Sequence, residues 1–245
     1  MQTEFTHALT RLQSDFQKNI SPAALRTELQ NYFDALQCAE QSVLQKQPLL
    51  TARVGGLRLL RALQNRTPPQ ADAPVCAVPL SALCESTAFC ADLLCSEVQK
   101  RVFFTGGAEV AAACRPQATV WATLNLLSNA LRYSAGRYIF VNTAHVGNKA
   151  VLTVANEGDF PISAFFAAQQ HKDSGLWFAA QTARLHGGAV YLTQSDVFTA
   201  VCLSLPAAKD TLPQWQLPDF TDWLADGLSP IYTALCDSIF QNVNV

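Results

Sequence analysis

The chain has 245 residues, 49% hydrophobic and 15% charged, which is enough apolar material for a large core and too much for disorder. Seventeen Lys and Arg against nineteen Asp and Glu leave a net charge of −2, so no basic field exists to hold nucleic acid through its phosphates. No apolar run reaches the ~20 residues of a membrane span, and the start, Met1 to His7, has neither the basic nor the apolar region of a signal peptide. The chain therefore reads as cytoplasmic. Its eight cysteines, at 38, 76, 84, 90, 95, 114, 202 and 236, show no C-x-x-C spacing. Most stand beside Ala, Leu or Val, which marks them as small buried apolar residues in a reducing compartment.

Residues 1–66 read as wholly helical. Phe5, Leu9, Leu12 and Phe16 form one apolar stripe. Ser21-Pro22 starts a second helix bearing Leu25, Leu29, Phe33 and Leu36. A third helical piece after Pro48 carries Leu49, Val54, Leu57, Leu60 and Leu63. Residues 67–74 form a Pro-rich linker. Beyond it the pattern is mixed. Val75 to Pro79 reads as a strand and Leu80 to Val98 as a helix. Val102 to Phe104 and Val110 to Cys114 read as strands around a Gly106-Gly107 turn. Pro116 to Ser134 is a strong helix. Tyr138 to His145 and Lys149 to Ala155 form a hairpin over Gly147-Asn148. Ser174 to His186 is helical and closed by Gly187-Gly188. Ala189 to Thr193 and Phe198 to Leu205 form a second hairpin. The tail, 207–245, carries Trp215, Phe220 and Trp223 and ends in a helix begun by Ser229-Pro230. Such a tail is too apolar for a free extension, so it is expected to pack on the preceding domain or on a partner. Helices mixed with antiparallel hairpins indicate an α+β layer architecture.

The most informative segment is VWATLNLLSNALRYS, Val120 to Ser134. As a helix it places Val120, Leu124, Leu127 and Leu131 on one face and Asn125, Asn129 and Arg132 opposite them. Asn is a poor helix-interior residue, so two of them four apart need a reason. Two readings fit. One is a solvated face. The other is a pair of amide oxygens converging on magnesium, with Arg132 reaching phosphate.

The run Asn125 to Ser134 closely resembles the asparagine box of sensor histidine kinases, members of the ATPase superfamily shared with gyrase and Hsp90. The downstream segments keep the family's order. Strand Val151 to Ala155 leads into Asn156-Glu157-Gly158, similar to the first glycine box. Ser174-Gly175-Leu176, and a helix ending His186-Gly187-Gly188, resemble the second glycine box and its trailing residues. Phe198 to Pro206 resembles the closing strand, and the resemblance spans roughly residues 1–206. It departs from the pattern at the second glycine box, where only Gly175 remains and Asp173 adds a negative charge. It departs again in a short lid between Gly158 and Gly175.

The resemblance implies a dimerising N-terminal helical hairpin, residues 1–66, that pairs into a four-helix bundle. An ATP-binding α/β sandwich over 75–206 follows, with a mixed sheet and helices on one face. Carried over, Asn129 is the magnesium ligand and Asn125 its partner, while Arg132 and Tyr133 line the phosphate and adenine sides. Asn156 accepts from the adenine amino group, although the family has an Asp there. Gly158 lets the backbone approach the base. Ser174, Gly175 and Leu176 serve the phosphates. His7 is the expected phosphoacceptor, though Ala8 follows it where the family has a carboxylate; an exposed surface His is the plainer reading. The implied partners are a second copy of the chain and a response regulator, and the implied cofactors are ATP and Mg2+. The implied function is two-component signalling, with phosphoryl passing from ATP to histidine and on to the regulator. The alternative is a catalytically degenerate scaffold or a histidine phosphotransferase that works without ATP turnover.

Overall fold

The computed structural model describes residues 46–172 and 174–240. His7, Asp173 and the two expected helices before residue 46 lie outside the described residues. The chain divides into two compact units, one of residues 1–64 with 240–245, and one of Asn65–Ile239. In the first, helix α1 (Lys46–Arg66, its last two residues in the second unit) follows the sequence expectation. Val54 and Leu57 are buried as the stripe requires. Leu59 is buried too, whereas Leu60 turns outward, so the stripe drifts in the second half of the helix. The Arg53 guanidinium lies over the Phe240 ring, 6.0 Å from its centroid.

The second unit is built on two sheets. Strands β1 (Cys76–Pro79) and β3 (Ala111–Cys114) form a small antiparallel pair. Five strands, β2 (Arg101–Phe104), β4 (Tyr138–Val146), β5 (Lys149–Glu157), β6 (Ala189–Gln194) and β7 (Phe198–Pro206), lie in the order β2-β4-β5-β7-β6. Only β2 and β4 run parallel, so the sheet is mixed. Helices α2 (Leu80–Cys95), α3 (Pro116–Tyr133) and α5 (Gly175–Leu185) cover its inner face. The expected α+β layer stands.

Local chemistry explains the turns. The β4–β5 loop is two residues, with Gly147 at φ 60 in the first central position, as a tight hairpin demands. Gly187, at φ 69, ends the segment after α5. The two strands expected around a Gly106-Gly107 turn do not pair with each other, β2 lying beside β4 and β3 beside β1. Neither Gly106 nor Gly107 adopts a positive φ, so no tight reversal occurs there. The Ser81 hydroxyl instead holds the crossing segment, donating to the Ala108 carbonyl and accepting from the Val110 N–H, both at 2.9 Å. At the other edge, Asp92 of α2 grips Arg101 with two hydrogen bonds, at 2.8 and 3.0 Å, and accepts the Val102 N–H. The Arg101 guanidinium holds the Asp92 carboxyl below its usual range.

The tail packs on this unit, as its composition required. Backbone bonds join Ala77 to Pro213 and Trp215, and Ala208 to Ala111, so the tail flanks both strands of the small sheet. Two helices follow, α6 (Phe220–Ala225), which the sequence reading missed, and α7 (Pro230–Ile239). Trp223, Ile231 and Leu235 join the same core as α2 and α3. Six of the seven described cysteines are buried, and all seven are free thiols. Burial pushes Cys90 up to about 11 and Cys95 and Cys114 up to about 12, as inert core thiols require.

Because α7 completes the core, Leu235→Ala should cost about 2–5 kcal/mol in urea denaturation. Leu228→Ala, at a side chain 62% exposed, should stay within about 0.5 kcal/mol of wild type.

Candidate functional site

Helix α3 carries the asparagines, and its entry is fixed by a histidine. The Arg115 N–H, at the helix start, donates to His186 Nε2 at 3.0 Å. An N–H can only donate, so the ring proton sits on Nδ1, which donates to the Thr182 carbonyl at 2.7 Å. The ring is thus held neutral. Burial lowers its pKa, against an opposing contribution from the Thr182 carbonyl, and the charge of Arg115 lowers it further. His186 is structural, tying the end of α5 to the start of α3.

Along α3 the expected apolar face is buried, but so is most of the opposite face. Asn125, expected beside Asn129 on a polar face, is 2% exposed. Its amide donates to Asn65 Oδ1 at 2.8 Å. Its oxygen lies so near Gly175 that a Cβ there would sit 2.4 Å away. The cause is packing: α5 lies against α3 at this point, and only a glycine leaves room. Asn125 is therefore a buried polar contact between α3 and α5, outside the lining of the cleft.

That cleft, open to solvent, lies between α3 and the inner face of β5 and β7. Its floor is apolar, made by Leu126 and Ala130 of α3, Val154, Val201 and Leu176. Its polar groups are Asn129, Asn156, Thr199 and Asp159. Asn156 and Thr199 are cross-strand partners on the inner face of the sheet. The Asn156 amide donates to the Glu157 carbonyl at 3.1 Å, which leaves its side-chain oxygen as an acceptor. The Thr199 hydroxyl donates to the Gly158 carbonyl at 2.6 Å. Gly158, at φ 108, turns the chain at the cleft lip, and its N–H donates to the Val197 carbonyl at 3.0 Å.

One wall is aromatic. The Tyr133 and Phe160 rings lie 6.0 Å apart, and Phe165 meets Phe160 edge-on at 6.4 Å. Phe165 belongs to a short lid helix, α4 (Ile162–Gln170), which the sequence reading left as lid. Arg132 stands outside the cleft, its guanidinium 5.4 Å from the Tyr133 ring centroid. Ser174 caps α5, accepting the Trp177 N–H at 2.9 Å and donating to the Ala168 carbonyl.

The structure thus brings Asn129, Tyr133, Asn156 and Leu176 together, with Gly158 at the lip. Ser174 and Gly175 form the start of α5, Arg132 lies outside and Asn125 is buried against Gly175. Sequence reasoning missed Asp159, Phe160 and Thr199. Thr199 alternates inward with Val201 and Leu203, so a period-two reading of β7 would have found it. No comparable signal marks Asp159 or Phe160.

No protein-family model matches the sequence, and no curated protein matches it significantly. Solved structures do. The Acinetobacter baumannii histidine kinase AdeS aligns over 78% of this chain and 100% of its own, with a TM-score of 0.58 at 13% identity. Full-length ShkA, solved with AMPPNP, aligns over 83% of this chain and 46% of its own, with a TM-score of 0.51 at 17% identity. The fold is a histidine-kinase fold. At such identities the likeness carries the fold, and each residue's role rests on this chain's own geometry.

Of the two asparagines of α3, Asn129 lines the cleft, whereas Asn125 is buried and donates its amide N–H to Asn65. Among the described residues no cluster of three or more His, Cys, Asp or Glu is placed to hold a metal, and no helix is long and apolar enough to cross a membrane.

Two outcomes are expected from this geometry. Gly175→Ala overpacks the Asn125 contact by about 1–3 kcal/mol, offset by up to about 1 kcal/mol of helix propensity, so melts should show a net loss. His186 must be neutral to accept from Arg115, and its pKa lies below the ordinary 6.5. Its contribution is complete above pH 6.5 and is lost as pH falls through the lowered value. Stability measured from about pH 7.5 down to about pH 5 should therefore fall less steeply in His186→Gln than in wild type.

Proposed function

We propose that the chain is a two-component signalling protein of the histidine-kinase type whose cleft binds an adenine nucleotide. One arrangement carries this reading. Asn156 and Thr199, cross-strand partners, face Asn129 across an apolar slot walled by Tyr133 and Phe160. A flat heteroaromatic ring finds apolar surface for its faces there, and the Asn156 oxygen accepts from an exocyclic amino group on its edge.

In the enzymatic form of this reading, ATP with Mg2+ fills the cleft and phosphoryl passes to His7 and then to a response regulator, across a homodimer paired through residues 1–66. Phosphoryl transfer depends on positioning and electrostatic support. In the second form, the chain binds nucleotide and a regulator without turnover. The electrostatics of the cleft favour the second form, since its lining holds Asp159 and no Lys or Arg.

Calorimetric titration with ADP, with and without magnesium, tests the binding. Wild type should bind, Asn129→Ala should bind more weakly, and Asn156→Leu should lose about tenfold or more, the worth of a buried hydrogen-bond acceptor. A wild type silent to every adenine nucleotide would end the reading. A radiolabel assay separates the two forms: acid-labile phosphate that vanishes in His7→Ala establishes the kinase, and its absence leaves the scaffold.

A further inference from the structure

The group that meets the base edge is an amide, and an amide has two faces. Turned one way, Asn156 offers an oxygen that accepts; turned the other way, it offers an NH2 group that donates. A carboxylate would face no such choice. Here the choice is made by the Glu157 carbonyl, which accepts the Asn156 amide N–H at 3.1 Å. With the amide reversed, two acceptors would confront each other. The Glu157 carbonyl is itself held in place, because it also accepts the Ala135 N–H at 2.9 Å. At the other end of the same peptide unit, the Gly158 N–H donates to the Val197 carbonyl at 3.0 Å. Ala135 belongs to the loop that follows Tyr133, and that loop is shaped for close approach. The bare Cα of Gly136 leaves room for the Glu157 side chain, and the bare Cα of Gly158 leaves room for Ala135. Lys100 fastens the loop. Its ammonium donates to the Ser134 carbonyl at 2.9 Å and to the Gly136 carbonyl at 2.6 Å, the two residues that flank Ala135. The next residue, Arg101, opens β2 and gives its N–H to the Arg137 carbonyl at 2.9 Å, so the sheet fixes where Lys100 starts.

We propose that Lys100 is a positioning residue for base selection: by clamping the loop of residues 134–136 it keeps the Ala135 N–H on the Glu157 carbonyl, which holds the Asn156 amide with its oxygen left for the base. The proposal rests on the adenine reading and adds what enforces it. An exocyclic amino group donates to that oxygen, whereas an exocyclic carbonyl at the same position of the ring meets it acceptor to acceptor. An amide free to turn would suit both rings, because its NH2 group donates to the carbonyl. Without the ammonium, the Ser134 and Gly136 carbonyls lose their shared donor and the loop loosens. The Glu157–Gly158 peptide is then held at its N–H end alone, and the Asn156 amide loses the contact that orients it.

The experiment compares ADP with inosine diphosphate, in which a carbonyl replaces the exocyclic amino group, by calorimetric titration of the full chain. Wild type should bind ADP about tenfold or more tighter than inosine diphosphate. Lys100→Met keeps the apolar stem and removes the donor, and it should bring the two ligands within about threefold of each other. Lys100→Arg should restore the wild-type ratio. In an Asn156→Asp background the carboxylate has no donor face, so adding Lys100→Met should leave the ratio of that background unchanged. Thermal melts check that each variant folds; should Lys100→Met fail to fold, Lys100→Gln, a neutral donor on a shorter stem, should also lower the ratio. A lysine variant that weakens both ligands alike, or that keeps the wild-type ratio, would overturn the proposal and leave the adenine reading intact. A wild type that binds the two rings equally would overturn it as well, since no orientation of the amide would then be enforced. A wild type silent to both at millimolar concentration would remove the adenine reading together with the proposal.

Discussion

Asn125 is a polar side chain sunk in the middle of a helix, and the geometry around the cleft depends on how it is satisfied. An amide in that position without a partner costs about 1–3 kcal/mol. Asn65 removes part of this cost with a hydrogen bond at 2.8 Å. Gly175 makes the burial possible, because any side chain there would collide with the amide. The consequence is positional. Helix α5 enters its first turn pressed on α3, and Leu176, the next residue, is thereby delivered to the cleft floor. A glycine beside an asparagine box invites a phosphate-loop explanation. Here its requirement is met by the close approach of two helices.

The same helix is held at its other points by unrelated means. His186 clamps its start through the Arg115 N–H. Lys100 fixes the loop after it by donating to the Ser134 and Gly136 carbonyls, at 2.9 and 2.6 Å. Helix α7 of the tail shares its core with α3. With α5 and α7 packed against it, α3 has little solvated surface before its last turn, where Arg132 and Tyr133 emerge. Asn129 is half-buried and lines the cleft.

Much of this was legible in the sequence, and the misses share one cause. Period and turn chemistry are local, so the long helices and both hairpins could be read from residues near one another. The burial of Asn125 is not local. It depends on Asn65, sixty positions away, and on α5, and a helical wheel of α3 alone can only assign it to a polar face. The turn read at Gly106-Gly107 has the same origin. Two apolar runs around Gly106-Gly107 look like a hairpin, but strand partners are chosen by the sheet, and each run found a better one elsewhere. In the cleft, Asn129, Tyr133, Asn156 and Leu176 were singled out by the resemblance to a motif. Asp159 and Phe160 were not, because they lie in an irregular segment where no periodicity constrains them.

That division between regular and irregular parts also bears on what the cleft can recognise. Asn156 and Thr199 sit on the inner face of paired strands, and their neighbours Val154 and Val201 belong to the core or pack against it. Moving either polar group would disturb the sheet, so the groups that meet a base edge are held by the same forces that hold the fold. Asp159 and Phe160 hang from the segment after Gly158, outside the ladder. The exposed charge at Asp159 can be exchanged at little structural cost, since such surface substitutions usually change stability by less than about 0.5 kcal/mol, whereas Phe160 packs against the core. Under the proposed reading, affinity for the base is therefore anchored in the sheet. A likeness of fold at 13% identity carries the sheet that holds Asn156 and Thr199, and says nothing of the side chains on the loop.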